Sequence, residues 1–222
     1  MDVAANLDTI LSHIKQSCNK SNRNPEEITI IGVTKYVTIE RTEETIKAGI
    51  TNLGENRLEG FQEKYNHFNN RAKWHFIGTL QSRKVKEVVD QVEAIHSLDR
   101  LSLAKEIDKR ASKQVNCFIQ VNVSGEESKH GINPKDLLPF VRELAPYPNV
   151  RVVGLMTMAP HINDEQHLRK IFRDLAALRD MIRDSNFSHA SCEFLSMGMS
   201  NDYQIAVEEG ATHIRIGSKL VG

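Results

Sequence analysis

Short apolar or β-branched runs alternate along the chain with longer stretches in which apolar residues recur every three or four positions. The first of these, carrying Val3, Leu7, Ile10, Leu11 and Ile14 on one stripe, predicts an amphipathic helix within about the first 24 residues. Ile28–Val33 then reads as a buried strand and Thr38–Ala48 as a helix closed by Gly49. The rhythm repeats with a short strand at Asn52-Leu53, a helix over Glu55–Tyr65, a strand at Trp74–Ile77 and a helix over Arg83–Asp90. Ala94–His96 is a strand, Arg100–Arg110 a helix, Asn116–Val123 a strand, and Pro134–Ala145 a helix with proline in its first turn. Val150–Leu155 is a strand, and Glu165–Arg183 a long helix with Leu168, Ile171, Phe172, Leu175 and Leu178 on one face. Strand Cys192–Leu195, helix Asp202–Glu209 ended by Gly210, and strand His213–Ile216 complete the series.

This makes about eight strand-then-helix units of roughly 25 residues, the signature of a parallel α/β fold. Within 222 residues that number suits a closed (β/α)8 TIM barrel better than an open doubly wound sheet. The expectation is one domain over residues 1–222, with the extra N-terminal helix packed on the barrel. Composition adds limits. Lys+Arg and Asp+Glu both number 29, which argues against broad attraction to nucleic acid or an anionic membrane. No apolar run approaches the ~18 residues of a membrane span. Cys18, Cys117 and Cys192 stand far apart without a CxxC, which fits a reducing cytoplasm.

Functional groups in such barrels sit where strands end at the carboxyl face. The first strand delivers Lys35 there. Apolar walls around a strand-end lysine disfavour its charged form, and a neutral amine is what Schiff-base formation with an aldehyde requires; alternatively the stem packs on the barrel while the ammonium reaches water. After strand seven, Leu195–Asp202 offers Ser200 to cap the next helix and Gly198 for close backbone approach to a ligand. After strand eight, Gly217 and Ser218 form a second glycine-serine turn at the same face. Phosphate sites in these barrels are frequently built from those two loops, although each alone is also an ordinary turn. Neither GxxxxGK[ST] nor GxGxxG occurs. An amine for an aldehyde and two loops for a phosphate point to pyridoxal 5'-phosphate. The nine histidines include no HxH or HExxH, so no metal is expected. His75 and His96 each end a strand and are candidates either for the pocket or for a hydrogen-bonded rim. Met156 and Met158 read as core and pocket wall, and Lys129-His130 and Lys219 as solvated charges.

The run Trp74–Lys84 (WHFIGTLQSRK) closely resembles the signature of the YggS/PROSC family of pyridoxal-phosphate homeostasis proteins. So do Gly54–Arg57, Gln120–Ser124, Ser128–Gly131, Gly154–Met156, Ser196–Ser200 and Arg215–Gly217, in order along nearly the whole chain. The resemblance implies a barrel like the N-terminal domain of alanine racemase, of fold type III, with the cofactor as an internal Schiff base on Lys35. It further implies phosphate contacts at Ser200, Gly217 and Ser218, an arginine at position 215 facing the pyridine nitrogen, and Asn56 near the cofactor's edge; His75, Met156 and Met199 are further candidates for the cofactor pocket. Arg83 stands where many relatives have asparagine, and Ser218 where threonine is frequent. Both substitutions keep polar function. Arg215 has a bland alternative, a strand-end ion pair with a carboxylate such as Glu193.

Three functions fit these residues. The first is a monomeric, cytoplasmic carrier that holds pyridoxal phosphate reversibly for vitamin B6 homeostasis, with apo forms of pyridoxal-phosphate enzymes as recipients and no turnover of its own. The second is an amino-acid racemase or decarboxylase of the same barrel class. The third is an aldolase-like barrel using Lys35 on another phosphorylated metabolite. An arginine only donates, so a ring nitrogen opposite it is expected to stay unprotonated and to be a poorer electron sink. The resemblance favours the first reading, and so does length, because racemases and decarboxylases of similar fold add a β domain for which 222 residues leave no room.

Overall fold

Eight parallel strands close on themselves in chain order: β1 Thr29–Val33, β2 Asn52–Glu55, β3 Lys73–Phe76, β4 Ala94–Leu98, β5 Val115–Gln120, β6 Val150–Met156, β7 Phe194–Met199 and β8 His213–Ile216. The seam is a regular ladder, with Thr29 opposite His213 and Gly32 opposite Ile216. The computed structural model describes residues 2–126 and 130–222. Ser128 and Lys129 of the Ser128–Gly131 motif lie outside the described residues.

The helices are α1 Val3–Ser21, α2 Ile39–Lys47, α3 Leu58–Phe68, α4 Leu101–Arg110, α5 Leu137–Glu143, α6 Glu165–Asp184, α7 Tyr203–Glu208 and α8 Ser218–Val221. Helix α1 begins at Asp2, whose carboxylate accepts from the Ala4 amide, and ends at Asn22 in the left-handed region (φ 54°). Its Val3, Leu7, Ile10 and Ile14 are buried, as their spacing predicts. Asn6 donates to the Leu220 carbonyl and Arg23 to that of Val207, so α1 is tied to the last two helices.

Period-two alternation sends the strand residues to two different interiors. Outward-facing Leu53, Trp74, Phe76, Ile95, Cys117, Ile119 and Leu195 join the helices in one continuous apolar layer. Trp74 and Phe76 meet Phe61 of α3 edge-on, at 6.0 and 6.3 Å between ring centroids. Inside the barrel, Ala94, Phe118, Val153 and Met156 form a small separate cluster beside buried His75, His96, Ser196 and Arg215. The WHFIG run thus has a physical reading: its aromatics face a helix, its histidine the axis.

The chain departs from the sequence pattern in several places, and one is Glu55, which ends β2 while α3 begins only at Leu58. The helix expected over Arg83–Asp90 is 3-10 turn at Ser82–Glu87. Strand β7 starts at Phe194, two residues after Cys192 with its φ of 45°, and runs through Ser196–Met199 where a loop was expected. Pro134–Asp136 is a 3-10 turn ahead of α5. The short helix α8 was not anticipated. Cys18, Cys117 and Cys192 are all buried and unbridged, and among the described residues no helix is long and apolar enough to cross a membrane.

Candidate functional site

The carboxyl mouth of the barrel holds a cavity of about 480 Å³, lined among others by Lys35, Asn56, Met199, Ser200, Arg215, Gly217 and Ser218. These seven candidates come from four different strand ends and meet in one space of ligand size. His75 and Met156 lie below it. His75 is buried and hydrogen-bonded to His96 and Asn52, and Met156 packs in the axial cluster with Phe118. Gln120, Thr79, His161, Asn201 and Asp202 also line the cavity and were not singled out from sequence.

Lys35 is exposed at the mouth, which matches the alternative of an ammonium reaching water and not that of desolvating apolar walls; β1 ends at Val33, two residues before it. Its turn is closed by the Val37 amide on the Thr34 carbonyl, with Tyr36 left-handed at φ 65°, a conformation uncommon for a bulky side chain. Arg57 lies 5.5 Å from the centre of the exposed Tyr36 ring. Behind the turn sits a feature that motif reading missed. Lys64 of α3, only 3% exposed, donates to the Thr34 carbonyl and to Glu55 Oε1, both at 2.8 Å. The Thr34 hydroxyl donates to the same carboxylate oxygen at 2.7 Å. A buried ion pair therefore fixes the backbone that presents Lys35. A signal existed: Lys64 falls on the stripe of Phe61 and Phe68, where a solvated charge does not belong.

On the far side, the loops after β7 and β8 are stitched together. The Ser200 hydroxyl accepts from the amides of Gly217 (3.3 Å) and Lys219 (3.4 Å). It does not cap α7, whose N-cap position is Asp202. Gly198 also differs from expectation. At φ 91° it packs against α7, where a Cβ would sit 2.6 Å from Ala206 Cβ, so the glycine makes room for a helix. Gly78, by contrast, permits a close approach at the site: a Cβ there would land on the carbonyl of Asn56. The Asp202 carboxylate accepts from the Met199 amide at 2.6 Å, and its burial pushes its pKa up, against the opposing pull of that bond and of Arg215.

Arg215 is 4% exposed and makes no ion pair with Glu193. Its guanidinium donates to Ser196 Oγ at 2.6 Å and to the Thr157 carbonyl at 2.9 Å. Burial lowers its pKa to about 10, with Asp202 opposing, so it remains a cation at neutral pH. Among the described residues no cluster of His, Cys, Asp or Glu suits a metal ion.

Comparison with known proteins fits this architecture. The family described as alanine racemase, N-terminal domain, matches residues 5–222. A protein of Aquifex aeolicus named pyridoxal phosphate homeostasis protein is 40% identical, over 100% of this chain and 98% of its own. The chain belongs to the pyridoxal phosphate homeostasis family, within the alanine racemase N-terminal domain fold. The Escherichia coli K12 protein of the same name is 32% identical over 100% of this chain and 96% of its own. Among solved structures, PipY of Synechococcus elongatus with PLP bound superposes with a TM-score of 0.86 at 27% identity, over 99% of this chain and 100% of that one. Alanine racemase of Clostridium difficile shares the fold, with a TM-score of 0.78 at 14% identity, over 100% of this chain and 56% of that one.

Proposed function

We propose that this chain binds pyridoxal 5'-phosphate in the barrel mouth, holds it reversibly as a Schiff base on Lys35, and serves vitamin B6 homeostasis. The observation that carries the reading is the meeting, in one cavity, of a lysine amine, a buried arginine and the stitched Ser200–Gly217–Ser218 turns. The donor set fits the group: an amine for the aldehyde, hydroxyls and backbone amides for the phosphate, and Arg215 for the ring nitrogen. The names of the Aquifex and E. coli relatives and the PLP-bound PipY structure support the same ligand.

When bound, the cofactor supplies a reactive aldehyde and a ring able to accept electron density. The chain's own residues restrict the use of that chemistry. Arg215 donates and never accepts, so it keeps the ring nitrogen without a proton and weakens the electron sink. Lys35 lies exposed at the mouth, where water reaches it and reversible attachment is easy. Both features favour storage and delivery over racemisation. The reading extends to a monomer in the cytoplasm, consistent with three buried free thiols, passing its cargo to apo-enzymes.

The test is direct. Protein mixed with pyridoxal phosphate should show a visible absorption band, and borohydride should fix the label to Lys35. Lys35→Ala should lose the trapped label, and solvent deuterium should not enter the α-position of any common amino acid. A label retained in Lys35→Ala, or rapid α-exchange by the parent, overturns the proposal.

A further inference from the structure

Beneath the cavity, a chain of hydrogen bonds runs down the barrel axis, and its direction is set by chemistry. Arg215 Nη1 donates to Ser196 Oγ at 2.6 Å. A guanidinium has no acceptor, so Ser196 accepts there. At the other end Asn52 Oδ1 carries no hydrogen, so His75 Nε2 donates to it at 3.0 Å and His75 Nδ1 is left as an acceptor. His96 Nε2 therefore donates to His75 Nδ1 at 3.0 Å, and His96 Nδ1 accepts from the Ser196 hydroxyl at 2.9 Å. Residues of β8, β7, β4, β3 and β2 are thus linked in one sense, from the cavity floor to the amino end of the barrel.

Two further observations fix the arrangement. The His96 ring is stacked on Phe118, 4.2 Å between centroids and 16° between planes. Burial also holds both histidines neutral, with the pKa of His75 lowered to about 3 and that of His96 far below its ordinary value. Arg215, in turn, is a buried cation that forms no ion pair among the described residues; it donates instead to Ser196 and the Thr157 carbonyl. Every link of the chain turns its lone pair toward the guanidinium, so successive dipoles polarise one another in favour of the positive charge. The axial chain adds to the longer-range pull of the Asp202 carboxylate in favouring the charged guanidinium. A carboxylate there would neutralise the arginine and compete for its donors.

We propose that Ser196, His96, His75 and Asn52 are positioning residues that aim Arg215 at the ring nitrogen of bound pyridoxal phosphate without touching the ligand themselves. This rests on the ligand assigned above. Because Arg215 cannot accept a proton, the chain conducts none: it orients.

The experiment has two parts. In the ligand-free protein, 15N spectra of labelled histidines should show His75 and His96 as neutral Nε2–H tautomers; an Nδ1–H tautomer at either position overturns the direction of the chain. In the second part, calorimetry measures pyridoxal phosphate binding whether or not Lys35 forms a bond. Ser196→Ala should weaken binding about tenfold, the worth of one charge-assisted hydrogen bond, and shift the 15N resonance of the labelled pyridine nitrogen. Ser196→Thr, which keeps the hydroxyl, should restore both. Asn52→Ala, at the far and partly exposed end, should move both readouts the same way by less, which covers misfolding of the buried variants. In an Arg215→Gln background, Ser196→Ala should cost nothing more. Additive losses, or an unchanged nitrogen resonance in Ser196→Ala, overturn the proposal. Failure of borohydride trapping overturns only the attachment to Lys35.

Discussion

Replacing Lys64 by methionine tests whether the buried pair behind Lys35 shapes the site. Methionine conserves most of the side-chain volume, so the change removes a charge and leaves little cavity. Glu55, 1% exposed, would keep only the Thr34 hydroxyl as a side-chain donor among the described residues, and the Thr34 carbonyl would lose the ammonium from which it accepts. Removing one partner from a buried pair costs about 3–5 kcal/mol, because the remaining charge stays desolvated. For a chain of this size each kcal/mol lowers Tm by roughly 2–4 °C, so the expected drop is about 6–20 °C by circular dichroism. The double variant Glu55→Gln/Lys64→Met removes both charges of the pair and should recover most of the loss. The yield of borohydride-trapped cofactor on Lys35 should fall in the same order, since Thr34 is its neighbour in the turn. A Lys64→Met protein melting within about 2 °C of the parent, or a double variant showing the sum of the single losses, would refute the reasoning.

The axial histidines and the loop contacts give two other expected outcomes. The His75 pKa is near 3 in the fold against an ordinary 6.5, and that of His213 near 4, both lowered chiefly by burial. Below about pH 6.5 the unfolded chain therefore binds protons that the native state refuses; stability is intact above that pH and falls toward pH 3–4 by up to about 1.4 kcal/mol per unit for each histidine. Thermal melts of the ligand-free protein should decline steadily from pH 7 to 5, with a shallower slope in His75→Gln, and a flat profile would contradict this. Gly78→Ala drives a methyl group into the Asn56 carbonyl, so it should displace the loop after β2 and weaken pyridoxal phosphate binding about tenfold or more, at a cost of one to a few kcal/mol typical of forced overpacking. Unchanged affinity by calorimetry would show that this loop contact is dispensable.

The strand–helix rhythm carried the barrel because each strand and each helix stripe has its own period, and Lys35 was legible from its place at the first strand end. Side-chain direction was harder to read. Ser196 looks like loop material beside Met197, Gly198 and Met199, yet period-two alternation in β7 points it at the axis. Gly198 was legible as a special position, but what it accommodates, Ala206 of α7, depends on a helix packed across the chain. Lys64 looks like one more helix-surface charge unless its register with Phe61 and Phe68 is checked. His75 and His96 are 21 residues apart in the chain, so their mutual bond is a product of the parallel pairing of β3 with β4 that no local pattern announces.

The alternation of Leu53 and Ile95 outward with Asn52 and His96 inward has an evolutionary consequence. Neighbouring letters of the same strand answer to separate selective pressures, one set to the hydrocarbon sleeve beneath the helices and the other to the polar rod along the axis. Drift in the sleeve can retune thermal tolerance while the rod stays as it is.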